Sequence, residues 1–140
     1  MSQLANAFHH QLKEVKTADL AGEALGWAVG KAEGLDVYLE PPGYNGVPWR
    51  VFARHQGQAI EHTKRFNPWE DWALGGPLIE KYRICINDNG EHWGIPAGSQ
   101  SWRANTARFG YGSNPLAAAC QCIVSTKLGD TVQVPKELCQ

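Results

Sequence analysis

A chain of 140 residues with 13 Lys+Arg, 14 Asp+Glu and a net charge of −1 has room for one hydrophobic core. It lacks the basic excess with which a dedicated duplex-binding protein displaces counterions. Apolar residues at 43% and charged residues at 19% exclude a disordered chain, and no apolar run approaches the ~20 residues of a membrane-spanning helix or reads as a signal peptide.

Leu4, Phe8, Leu12 and Val15 follow helical spacing, which predicts an amphipathic helix over residues 3–14. Residues 1–14 are thus read as an N-terminal extension and 15–140 as a single domain. The apolar stripe of the extension is expected to join copies of the chain in a homo-oligomer. Thr17 is the expected N-cap of a helix running to about Glu33, stopped by Gly34 in the left-handed conformation. Gly26 and Gly30 inside it suit close packing. Alternation in Leu35-Asp36-Val37-Tyr38-Leu39-Glu40 predicts a strand ended by Pro41-Pro42-Gly43, followed by strands over 49–54 and 59–61 around a turn at 55–58. Gly75-Gly76-Pro77 leads into a short helix over 78–82, and 83–86, 92–95 and 101–103 are short strand candidates around Asn87-Asp88-Asn89-Gly90. Gly110 to Asn114 reads as a flexible loop. Asn114 and Pro115 then open a second main helix that Gly129 ends, and 132–134 suggests a last strand. The expected fold is α+β, with two main helices packed on a small, mostly antiparallel sheet in a loop-rich single domain. Trp27, Ile79, Leu116, Ile123 and Val124 are expected in one core.

The chemistry is sparse. Cys85, Cys120, Cys122 and Cys139 lack Cys-x2-Cys spacing and are expected as reduced thiols of a cytoplasmic protein, not zinc ligands. No Gly-x-Ser-x-Gly, His-Glu-x-x-His, phosphate-binding P-loop or dinucleotide fingerprint occurs, so the reading carries no catalytic residue, no metal and no cofactor. Asp71 lies between Trp69 and Trp72, where an acidic residue ordinarily caps a turn. Gly75 and Gly76 before a helix would present free N–H groups to an anion. Arg103 and Arg108 alternate with Trp102, Phe109 and Tyr111 ahead of the Asn114 cap. A planar ring stacked on an aromatic side chain gains roughly 1–3 kcal/mol, and arginine binds phosphate bidentately. The expected ligand-binding set is therefore Trp69, Asp71, Trp72, Gly75, Gly76, Arg103, Arg108, Tyr111 and Asn114, lining one cleft for a small nucleotide-like ligand. The plainer alternative is that the six tryptophans anchor the core.

Four segments carry a likeness to a known family: Thr17-Ala18-Asp19-Leu20 with Leu25-Gly26-Trp27-Ala28-Val29-Gly30; Asp71-Trp72-Ala73-Leu74-Gly75-Gly76-Pro77; Asn114-Pro115-Leu116; and Ser125-Thr126-Lys127-Leu128-Gly129-Asp130 with Val134-Pro135-Lys136. In these the chain resembles the NinX-like family of small proteins encoded by tailed phages and prophages. Members of that family often carry Asp where this chain has Gly26 and a basic residue where it has Gln121. The resemblance implies a phage origin and residence in a bacterial host cytoplasm, and it implies no activity. Three functions follow, in order of preference. The first is a non-catalytic binder sequestering a nucleotide signal of host immunity. The second is a protein–protein inhibitor acting through tryptophans. The third is a nucleotide-acting enzyme using Asp71 or His92. No membrane and no duplex nucleic acid is expected as a partner.

Overall fold

The computed structural model describes residues 10–56, 60–88 and 102–139. Leu12–Lys16 is a strand, β1, pairing antiparallel with β8 (Thr131–Pro135), with Val15 opposite Val132. The helix expected over 3–14 is therefore corrected at its last residues. The helical spacing of Leu12 and Val15 is outweighed by the cross-strand partner that the C-terminal segment provides, with Val132 and Val134 buried on one face of β8. Leu4 and Phe8 lie outside the described residues.

Thr17 is not a helix cap. It is buried, its N–H donates to Asp130 O at 2.8 Å and its hydroxyl donates to Gly129 O at 2.6 Å, so it fastens a short 3-10 turn to the far end of the chain. The first α-helix, α1 (Gly22–Ala32), is buried from Ala24 to Gly30 and ends, as its sequence predicts, at Gly34 with φ +72°. It covers one face of the antiparallel sheet β2 (Asp36–Glu40), β3 (Arg50–Gln56) and β4 (Glu61–Arg65), where Val37, Leu39, Val51 and Ala53 point inward. β4 overlaps the 59–61 expected for it only at Glu61 and continues to Arg65, and β3 runs through His55 and Gln56 where the turn was expected to begin. The β4 sequence, Glu-His-Thr-Lys-Arg, is polar at every position because it is an edge strand with little covering it, so no apolar alternation betrays it.

α2 spans Trp72–Tyr82, twice the length expected, because Asp71 caps it: Asp71 Oδ1 accepts from Ala73 N–H at 2.9 Å. Pro77 lies inside this helix instead of opening it. The third sheet is β5 (Cys85–Asp88), β6 (Trp102–Asn105) and β7 (Phe109–Gly112), all antiparallel. β7 replaces the flexible loop expected from its glycines. Those glycines answer to packing: a Cβ on Gly110 would stand 2.1 Å from Cys122 N, and one on Gly112 2.6 Å from Ala118 N. The strand lies directly on the backbone of α3 (Pro115–Leu128), whose bounds agree with the sequence reading, from the Asn114 cap to Gly129. The strand candidate at 92–95 lies outside the described residues.

α3 is buried on two sides. Cys120 and Val124 join Trp27, Val29, Val51 and Val134 in one core, while Ala118, Ala119, Cys122 and Ile123 join Ile84 and Ala104 in a second, with Ile79 against it. The single core expected for Trp27, Ile79, Leu116, Ile123 and Val124 is thus divided by the helix itself. The fold is mixed α+β, as read from sequence. Among the described residues it has three α-helices and three small antiparallel sheets, not two helices on one sheet.

Candidate functional site

A cleft of about 580 Å³ opens beside β7, an edge strand of its sheet. One wall is the end of β1 and the turn after it, with Lys16 and Thr17. The β6–β7 turn and β7 supply Arg108, Phe109 and Tyr111, and α3 supplies Gln121. Gln121 is 5% exposed and organises the floor. Its Oε1 accepts from Tyr111 N–H at 2.9 Å, and its Nε2 donates to the carbonyls of Ala18 and Leu20, each at 3.2 Å. A basic side chain at this position would have no acceptor for Tyr111 N–H. Arg108 is ion-paired with Asp130 across the mouth. With Lys16, the charged groups of the lining among the described residues are two cations and one carboxylate. Phe109 is 54% exposed, and its ring lies nearly parallel to that of Tyr111, 17° and 6.5 Å between centroids.

The expected site residues do not converge on one cleft. Arg108 and Tyr111 line it; the others lie elsewhere. Arg103 is on β6, with its guanidinium 5.8 Å over the Phe109 ring. Trp69 is a core anchor, 9% exposed, its ring filling the space where a Gly26 side chain would begin. Asp71 and Asn114 are helix caps, Asn114 Oδ1 accepting from Ala117 N–H at 2.8 Å. Trp72 is 58% exposed on the first turn of α2. The anion site expected at Gly75 and Gly76 is corrected, because both lie within α2 and Gly75 N–H already donates to Asp71 O at 2.9 Å. Gly75 instead admits Leu116, which a Cβ would meet at 2.6 Å.

Among the other residues of the lining, Lys16, Thr17, Phe109, Gln121 and Asp130 were absent from the expected set. Only Phe109 carried a local signal, its place among arginines and aromatics. Gln121 acts through partners ten and about a hundred positions away, which no local pattern encodes. Burial pushes the Cys120 thiol up to about 12 and raises that of Cys122, so neither is a ready nucleophile. Among the described residues no group of three or more His, Cys, Asp and Glu side chains is placed to hold a metal, and no helix is long and apolar enough to cross a membrane.

A search of curated proteins gave no match. The profile of the family described as Bacteriophage P22, NinX matches residues 16–127. That span runs from the last residue of β1 almost to the end of α3 and takes in the cleft residues Lys16, Thr17, Arg108, Phe109, Tyr111 and Gln121. By that match, the chain belongs to the bacteriophage P22 NinX family.

Proposed function

We propose that this protein is a non-catalytic phage accessory protein that binds a small nucleotide-type ligand in the cleft beside β7 and acts in the host cytoplasm by withholding a signalling nucleotide of host immunity. The observation that carries the reading is the pair of near-parallel rings, Phe109 and Tyr111, set beside Lys16 and Arg108. A base stacks on the rings, and the phosphate pairs with Lys16 and displaces Asp130 from Arg108. The cleft volume falls within the ~300–1,000 Å³ of small-ligand sites. The floor is already satisfied: Gln121 and Thr17 spend their hydrogen bonds on the protein, so they shape the cleft and do no chemistry in it.

The test is to incubate the purified protein with a bacterial nucleotide extract, wash, denature and identify what is released by mass spectrometry. Intact nucleotide in stoichiometric amount is expected. Tyr111→Ala and Lys16→Ala should each weaken its binding about tenfold with the melting curve little changed. Chemically altered nucleotide would replace sequestration by an enzyme, and no retained nucleotide would overturn the reading. A second reading, inhibition of a protein partner, is favoured by the exposed Trp72, which lies outside the cleft. Under it, Trp72→Ala abolishes partner capture and leaves nucleotide retention intact.

A further inference from the structure

The face of the β5–β6–β7 sheet turned away from α3 has a distinct chemistry. The register sets two rows across the three strands: Asn87, Arg103 and Tyr111 in one, Cys85, Asn105 and Phe109 in the other. The alternate positions, Ile86, Ala104, Gly110 and Gly112, face α3, and α3 is the described helix that packs extensively on this sheet. The outer face therefore carries two aromatic rings, two carboxamides and one arginine, with no carboxylate among its six positions. Its edge is continuous with the cleft, because Phe109 and Tyr111 belong to both.

Each group suits one part of a single-stranded polynucleotide. The rings of Phe109 and Tyr111 offer faces to successive bases, and Phe109 is already more than half exposed. A carboxamide has both donor and acceptor and can pair with the edge of an unpaired base. Arg103 lies with its guanidinium over the Phe109 ring, which sets its charge beside the stacking surface, while its Nε is buried without a hydrogen-bond partner. Beyond the edge, Lys16 and the Arg108–Asp130 ion pair lie in the cleft, which leaves one net positive charge there. From β5 to β7 the strands span about 10 Å before the cleft begins, so a ligand touching Asn87 and Lys16 together is longer than one nucleotide.

We infer that the outer face of β5, β6 and β7 binds single-stranded nucleic acid, its chain crossing the asparagines and Arg103 and placing one nucleotide in the cleft. The inference rests on the cleft reading for that last nucleotide. The test uses the full chain with fluorescein-labelled oligo(dT) and oligo(U) of about 12 nucleotides, read by anisotropy, with dTMP and UMP measured by equilibrium dialysis and a duplex of equal length as control. Either oligonucleotide is expected to bind at least tenfold tighter than its mononucleotide and far tighter than the duplex. Comparison of the two oligomers distinguishes a DNA from an RNA ligand. The double variant Asn87→Ala/Asn105→Ala should lower oligonucleotide affinity about tenfold while leaving mononucleotide binding as it was. Arg103→Gln should weaken the oligomer further and flatten its salt dependence. Oligomers that bind no tighter than mononucleotides, or that ignore these variants, overturn the inference and leave the cleft reading standing. Oligomer binding that depends on Asn87, Asn105 and Arg103 but not on Lys16, with no mononucleotide bound, supports the face and overturns the cleft reading.

Discussion

Gln121 is the residue whose loss should be felt most widely around the cleft. Replacing it with Met keeps much of the volume and strands Tyr111 N–H and the Ala18 and Leu20 carbonyls, three polar groups that it now satisfies. A buried group left without a partner costs roughly 1–3 kcal/mol, so Gln121→Met should lower unfolding free energy by at least that much in denaturant melts. A loss below about 0.5 kcal/mol would show that water replaces the side chain. The cysteines give a second test at this scale. Cys85 is exposed, whereas Cys120 and Cys122 are buried and their thiols held protonated by burial. Alkylation of the native protein near pH 8 should label Cys85 first and leave Cys120 and Cys122 until unfolding, as read by peptide mass mapping. Early labelling of Cys120 would mean that α3 opens locally.

Two elements have sequences that conceal their roles. β7 reads as a loop because two of its four residues are glycine, yet both glycines mark contact of the strand with the α3 backbone. Gly110→Ala must push strand and helix apart. Overpacking of this kind ordinarily costs about 1–3 kcal/mol and here, against backbone atoms, should reach the upper end; a neutral melt would show that the strand is not held against the helix. The ribbon of β1 and β8 is closed at one end by His10, whose Nδ1 is hydrogen-bonded to Glu137 Oε2 at 2.9 Å, and by Lys136 N–H donating to Gln11 O at 2.9 Å. The His10 hydrogen bond holds the Glu137 carboxyl below its ordinary 4.5. A depressed carboxyl stabilises the fold fully above its unfolded pKa, and the contribution fades as pH falls through the lower folded one. Amide exchange in β1 should therefore quicken as pH drops below about 4.5, after correction for the intrinsic rate, and E137Q should remove that acid dependence. An acid profile in E137Q equal to that of the natural chain would place the cause elsewhere.

For the whole molecule the decisive feature is that one helix serves two cores. Val124 and Cys120 pack toward α1 and β8, Ile123 and Cys122 toward β6 and β7. Neither cluster keeps its inner wall if α3 leaves, so the chain should unfold as one unit. Ile123→Ala is expected to cost about 2–5 kcal/mol and to shift far-ultraviolet circular dichroism and tryptophan fluorescence by the same amount. Separate midpoints would show two independent units. A second link crosses the fold at Glu23 of α1, which is ion-paired with Arg65 of β4 and accepts from Val51 N–H of β3 at 2.8 Å.

Features set by neighbours in the chain were legible in the sequence. α3 with its Asn114 cap and Gly129 stop, the end of α1 at Gly34, the alternation of β2 and the α+β class each depend on spacings of a few residues, where local conformational preference decides. The family was also legible, in short segments spread along the chain. Tertiary structure decided the rest, because the partner in each case lies far away. β1 is a strand only because β8 returns to meet it, β7 only because α3 tolerates glycine alone beneath it, and Trp69 is a core anchor only because Gly26 leaves room for its ring. Of the nine residues expected of a binding site, Arg108 and Tyr111 line the cleft. Their pairing with Lys16, Thr17 and Gln121 could not be read in advance, since a cleft is a relation between surfaces and only the folded chain brings those surfaces together.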